Sequence, residues 1–384
     1  MKLEQELAQE LAAREAQGLR RVRRRLDSPQ RARVEVDGRP CIAFCANDYL
    51  GLAADPRLAA AARESLMLHG VGAGASHLIL GHSRAHQALE EALAAFSGYP
   101  AALLFSTGYM ANLGAISALV GRGDAVFADR LNHASLNDAA LLSRATFRRY
   151  AHNDLDALER LLATTPARRR LVATDAVFSM DGDIAPVPEL MALCERHDAL
   201  LYLDDAHGFG VLGEQGRGTL SHFGVSSSRI VYMATLGKAA GVSGAFVAAS
   251  GLVVETLLQN ARTYTYTTAA PPLLAHTLLT SLELIAREEP RREQLRARIA
   301  QLREGLAGLP WQLLPSRTPI QPLIVGDNAA ALALSARLAE QDILVPAIRP
   351  PTVPPGTARL RISLSSDHGA ADVACLVAAL RAAA

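Results

Sequence analysis

Short runs of consecutive apolar residues alternate with longer amphipathic stretches through most of this chain. The runs at 101–105, 125–128, 171–174, 200–203, 230–234 and 245–248 are mostly free of polar alternation. Strands covered on both faces read this way. Between many of them lie helix-length patterns, at 85–96, 155–162 and 187–197. The alternation predicts an α/β fold whose large domain is a mostly parallel sheet flanked by helices.

The pattern changes at both ends. Residues 3–25 read as one amphipathic helix with a basic end at Arg20, Arg21, Arg23, Arg24 and Arg25. Asp37-Gly38 marks the turn of a short hairpin over 34–39. Residues 47–52 read as a compact loop, and Pro271-Pro272 opens a long helix to about residue 287. Beyond 288, helices near 291–307 and 329–340 accompany strands at 321–325 and 359–364, as in a smaller α/β C-terminal domain. The expected division is an N-terminal helix and arm over 1–46, a large domain over 47–287 and a small domain over 288–384. The proline-rich segment 349–356 suits neither helix nor central strand, so a loop is expected there, ordered or disordered.

Composition removes several classes of function. The 39 basic and 38 acidic side chains leave a net charge of +1, which gives no reason to expect nucleic acid or a membrane surface as partner. Apolar stretches are cut short of the ~20 residues that a membrane span needs. The charged start lacks a signal-peptide core, so a cytoplasmic protein is expected. Cys41, Cys45, Cys194 and Cys375 have neither disulfide-framework nor zinc-site spacing, so free thiols and no metal are expected.

Candidate chemistry gathers where the apolar runs end. The run at 200–203 delivers Asp204, Asp205 and His207, and the run at 230–234 is followed by Thr235-Leu236-Gly237-Lys238. Open α/β sheets bind ligands beyond their strand carboxyl ends. A lysine amine there can form an imine with the aldehyde of pyridoxal phosphate (PLP). A carboxylate can keep the pyridine nitrogen protonated, and Asp204 is chosen over Asp205 for that role. Residues 106–112 follow a strand and open a helix, whose N-terminus can receive a phosphate or be an ordinary Thr-capped turn. His133 can stack on a pyridine ring or be a loop histidine bonded to backbone. Ser179 can bond a cofactor hydroxyl or serve the Asp181-Gly182 turn. Arg361 stands between Leu360 and Ile362 on an expected strand, which implies an anionic partner, a protein acid or a substrate carboxylate. Gly208, Gly210 and Gly213 match the dinucleotide pattern, but the acids precede them and no apolar helix follows, which argues against a nicotinamide site. The glycine-rich stretch 70–76 has no strand leading into it and suits close approach to a ligand or a partner subunit.

Taken in order, Asn47-Asp48-Tyr49-Leu50-Gly51-Leu52, Ser106-Thr107-Gly108-Tyr109, Asp129-Arg130-Leu131-Asn132-His133-Ala134-Ser135, Asp204-Asp205-Ala206-His207-Gly208 and Thr235-Leu236-Gly237-Lys238 resemble the α-oxoamine synthases over nearly the whole chain. These are fold-type I PLP-dependent transferases, acyltransferases that condense an amino acid with an acyl thioester and release carbon dioxide. Residues 178–183, 320–328 and 347–354 are similar to the branch that joins L-alanine to a pimeloyl thioester in biotin biosynthesis, the acyl group carried by coenzyme A or acyl carrier protein. The resemblance implies that Lys238 holds the cofactor as an imine, Asp204 holds the pyridinium and His133 stacks on the ring and meets the substrate carboxylate. It implies that Ser179 and His207 contact the cofactor and that Gly108, Tyr109 and Thr235 serve it and its phosphate. Asn47 and Arg361 would bind the alanine carboxylate, while Thr352 and Arg21, with Arg20 as its competitor, would contact substrate. A homodimer with shared sites is implied, Thr267 and Thr268 reaching the neighbour's phosphate.

The chain departs from the family pattern in three places. Ala73 and Ala75 stand in the glycine-rich loop, Thr174-Asp175 replaces Thr-Glu, and Ala239 replaces the glycine after the lysine. The alternatives are a sibling synthase using glycine or serine with another acyl-CoA, a non-catalytic partner subunit, or another PLP chemistry on the same fold.

Overall fold

A computed structural model describes residues 1–384. Two compact units emerge, one of residues 48–179 and 183–293, the other of residues 1–47, 180–182 and 294–384. The N-terminal and C-terminal segments thus belong to one unit.

The first unit is built on a seven-stranded sheet. Its spatial order is Ala101–Phe105, Ala245–Ala249, Ile230–Thr235, Ala199–Asp204, Arg170–Asp175, Ala125–Asp129 and Thr146–Tyr150. Ala245–Ala249 runs antiparallel to both of its neighbours, and every other pairing is parallel. Six strands therefore point the same way and open their carboxyl ends on one edge. The six apolar runs read from the sequence are all strands here. The seventh strand, Thr146–Tyr150, has no such run: it lies at the sheet edge with Thr146, Arg148 and Arg149 exposed. One face of the sheet packs Val126, Leu171, Tyr202, Val231 and Val247 with Ile116, Leu136 and Leu257 from the covering helices, all buried. Each such side chain contributes about 1.5–3 kcal/mol by leaving water.

The glycines that mimic a dinucleotide motif serve packing instead. A Cβ at Gly208 would stand 2.1 Å from the Asp205 Oδ1, and one at Gly213 would stand 2.5 Å from the Gly218 carbonyl. The next element is only a short turn, Glu214–Gly216, and not the long helix a pyrophosphate site requires.

The second unit has two small sheets. Arg33–Val36 and Arg39–Ala43 form the expected hairpin, with Asp37 and Gly38 both at positive φ, as the tight turn demands. Ile343–Leu344 adds to it in parallel. Gln312–Leu313, Ile320–Gly326, Ala358–Ser363 and Ala347–Ile348 make an antiparallel sheet in that order. The expected N-terminal helix over 3–25 is corrected to Lys2–Ala16. Gly18, at φ +63°, closes it, with the Leu19 amide donating back to the Arg14 carbonyl. The arginines from 20 to 25 therefore lie on a non-helical segment. Residues 349–356 form a loop with a cis peptide between Pro350 and Pro351 and with Val353 buried. The four cysteines are unbonded to one another.

Candidate active site

Five strand ends of the large sheet supply the side chains of one cavity of about 180 Å³. The register explains part of the set: Asp175 pairs with Asp204, and Asp204 with Met233, so the three stand side by side across adjacent strands. All three line the cavity. The loops that follow the strands add Gly108, Tyr109, His133, Ser179, His207, Thr235 and Lys238. Eight residues singled out from the sequence thus come together, Asp204 among them.

Asp204 is buried, with 4% of its surface exposed. Its Oδ1 accepts from the Ala206 amide at 3.1 Å and its Oδ2 from Asn112 Nδ2 at 2.8 Å. Asp205 is occupied elsewhere: it accepts from the Thr219 amide at 2.7 Å, the Thr219 hydroxyl at 2.6 Å and the Tyr232 hydroxyl at 2.9 Å. Burial still pushes Asp205 up to about 6 against those donors. The choice between the two acids is therefore geometric, and only Asp204 opens into the cavity.

Lys238 Nζ lies 2.8 Å from His207 Nε2, and His207 Nδ1 lies 2.6 Å from the buried Tyr49 hydroxyl. The loop carrying Tyr49 is held by Asp48, whose carboxylate accepts from the Leu52 and Ala53 amides. On the other side, the His133 amide donates to Asp175 at 2.7 Å, and His133 Nδ1 meets the Ser135 hydroxyl at 2.7 Å. Burial lowers His133 below the usual imidazole value; Asp204 pulls it up and Lys238 pushes it down. Burial, then the Asp204 charge, drives Asp175 well above the carboxylate range. Tyr109 donates to Asp138 at the rim.

Asn112, Ser135 and Met233 line the cavity without having been assigned a role from the sequence. Asn112 had a visible signal, since it sits one turn beyond Gly108 on the helix Gly108–Leu119. Thr267 and Thr268 do not line this cavity.

The other predicted residues belong to the second unit. Arg361 is 5% exposed, and its guanidinium donates to Asn47 Oδ1 at 3.3 Å and to the Ser363 hydroxyl at 2.7 Å. Asn47 and Arg361 are thus in contact, as a shared role would require. A separate cavity of about 490 Å³ is lined by Arg20, Arg21, Arg24 and Arg349 with apolar walls from Leu26, Val34, Leu332 and Leu344. Arg20 is tied to Glu15 at 2.7 Å. Thr352 is exposed, its amide donating to the Arg349 carbonyl.

The donor set of the first cavity suits PLP. An amine, two buried carboxylates, two imidazoles, four hydroxyls and the first turn of a twelve-residue helix meet in one small space. These match an aldehyde, a pyridine nitrogen, an aromatic face, a ring hydroxyl and a phosphate.

Comparison with known proteins agrees. Residues 39–380 match the family model for aminotransferase class I and II. The 8-amino-7-oxononanoate synthase of Nitrosospira multiformis is 64% identical over 375 residues, 98% of this chain and 95% of that one. Its namesake from Nitrosomonas europaea is 65% identical over 98% of both chains. Among solved structures, a serine palmitoyltransferase from S. paucimobilis with bound PLP superposes with a TM-score of 0.93 at 30% identity, covering 98% of this chain and 96% of that one. The 8-amino-7-oxononanoate synthase of Francisella tularensis gives 0.77 at 32%, covering 89% and 98%. The chain belongs to the aminotransferase class I and II family and, within it, to the 8-amino-7-oxononanoate synthases.

Proposed function

We propose that the enzyme condenses L-alanine with a pimeloyl thioester to 8-amino-7-oxononanoate, carbon dioxide and free thiol in biotin biosynthesis. PLP is the cofactor. The observation that carries this reading is the meeting of Lys238, His207, Asp204 and His133 in one cavity. The 64–65% identity to the synthases selects this reaction over that of the serine palmitoyltransferase, at 30%.

Bound PLP supplies an aldehyde for an amine and a conjugated ring that takes up the negative charge left at the alanine Cα. The chain does the rest. Lys238 Nζ would hold the cofactor and, when free, would take the alanine Cα proton and later return one. His207, fixed by Tyr49 on its far nitrogen, orients Nζ for that transfer. Asp204 holds the pyridine N–H, its own position set by Asn112 and the Ala206 amide. His133 offers its ring face to the cofactor. Gly108, Tyr109 and Thr235 receive the phosphate and Ser179 the ring hydroxyl. Asn47 and Arg361 bind the alanine carboxylate, a bidentate task that suits a guanidinium.

The arginine-lined cavity is assigned to the acyl thioester, whose chain meets the apolar wall while an anionic group, of the acyl chain, coenzyme A or acyl carrier protein, meets the arginines. Arg21 is preferred to Arg20 there because Arg20 is engaged by Glu15. Thr352 is a further contact to substrate. A cytoplasmic homodimer is proposed as well, Thr267 and Thr268 serving the partner's phosphate.

Steady-state assays of alanine, glycine and serine, each with pimeloyl-, acetyl- and palmitoyl-CoA, test the reaction. Alanine with the pimeloyl thioester is expected to give the highest kcat/KM; a preference for serine with palmitoyl-CoA overturns the assignment. Arg21→Ala is expected to raise KM for the thioester with little change for alanine, and Arg20→Ala to do so less.

A further inference from the structure

We propose that His77, His82 and His86, none of which lines the Lys238 cavity, form a binding site for a first-row divalent transition metal ion of the zinc class.

One ring nitrogen from each of the three lies within 4.8 Å of the other two. His77 Nδ1 and His82 Nδ1 are 3.1 Å apart. Two nitrogens bound tetrahedrally to zinc at about 2.0–2.1 Å stand about 3.3 Å from each other, so this pair is already at ligand spacing. Two of the outward nitrogens have acceptors. His82 Nε2 faces Gln87 Oε1 at 3.2 Å and Glu90 Oε2 at 3.9 Å, and His86 Nε2 is 2.8 Å from the Ala270 carbonyl. Histidines that ligate a metal donate their other ring N–H to such groups, which leaves the inner lone pair for the ion.

The framework around the three rings is firm on two sides and open on the third. His77 is buried and stacks on Tyr264, with ring centroids 4.8 Å apart. His86 is buried in the first turn of the helix Arg84–Ser97. Its Nδ1 accepts from the Ser83 amide at 3.0 Å, a bond it exchanges for the metal. His82 is half-buried and supplies both the entry path and the rotation that closes the set. Three imidazoles leave a fourth position for water, and imidazole suits zinc, copper and nickel. The ion would tie the turn His77–Gly81, which leads out of the glycine-rich stretch 70–76, to the start of the next helix.

The test is calorimetric titration of the chelator-treated, PLP-loaded enzyme with Zn²⁺, beside the variants His77→Phe, which keeps a ring on Tyr264, and His82→Gln. One zinc per chain is expected, with at least tenfold weaker binding in each variant and no change in the cofactor's visible absorbance. Circular dichroism of the variants verifies their fold. Absence of stoichiometric binding, or equal binding in wild type and both folded variants, overturns the site. Cobalt loading of the wild type needs no variant: tetrahedral d–d bands are expected, and a spectrum of hydrated cobalt alone also overturns it.

Discussion

Asn112 sets the position of Asp204, the acid proposed to hold the PLP pyridine nitrogen. Its amide donates to Asp204 Oδ2 and to the Ser135 hydroxyl, and its carbonyl accepts from the Tyr202 hydroxyl at 2.9 Å. Asn112→Ala leaves buried polar groups without that partner, each at a cost of roughly 1–3 kcal/mol. A lower Tm and faster loss of PLP on dialysis are expected; unchanged values of both would refute the role. Lys238→Ala is expected to retain PLP without covalent attachment, to resist borohydride fixation and to lose at least roughly 10²–10⁴-fold in kcat. Full turnover in that variant would falsify the mechanism. Lys238, Asp204 and His207 were legible because they are chemically distinct and follow apolar runs. Asn112 had a visible position, one turn beyond Gly108, but not a visible role, because a neutral amide in a helix acquires meaning only when a strand 92 residues further along presents its carboxylate.

At the scale of elements, His152 joins two of the loops that carry site residues. Its Nδ1 lies 3.2 Å from Asp129, at the end of the strand before His133, and its Nε2 lies 2.8 Å from Asp183, in the turn after Ser179. Asn153 also reaches Asp183. Burial opposes a charge on His152, but the two carboxylates outweigh it and lift the imidazole to about 10. A raised value contributes stability that is whole below the unfolded imidazole's pKa of about 6.5 and is lost as pH rises through about 10. The Tm difference between wild type and His152→Gln is therefore expected to be largest near pH 6 and to vanish above pH 10; a difference that grows with pH sinks the ion-pair account. The strands of the sheet interior were readable from apolar runs because both of their faces are covered. Thr146–Tyr150 was not, since an edge strand facing solvent carries arginines. The N-terminal helix was overextended because its leucine spacing outweighed Gly18, the residue that ends it.

At the scale of the whole molecule, exposed apolar side chains mark a surface that water does not favour. Met67, Ile79 and Leu80 are 88%, 79% and 86% exposed, and Leu68 and Val71 are exposed beside Met67. Groups of this kind mark interfaces, and a homodimer burying them fits the proposed reach of Thr267 and Thr268 to a partner. Met67→Asp combined with Ile79→Asp is expected to shift the protein to monomer in size-exclusion chromatography and to lower kcat. A dimer of unchanged stability would place the interface elsewhere.

The sequence by itself determined the α/β class, the positions of the interior strands along the chain and the lysine, acid and imidazole of the proposed cofactor site. These follow from local quantities: apolar period, run length and side-chain chemistry. Tertiary structure decided which of two adjacent acids faces the cavity and which amide holds it. It also brought His77, His82 and His86 together, and Asn47 to Arg361 across 314 residues of chain. Apart from the histidine cluster, these depend on the register between neighbouring strands and on the packing of residues far apart in the chain, and no local pattern records that.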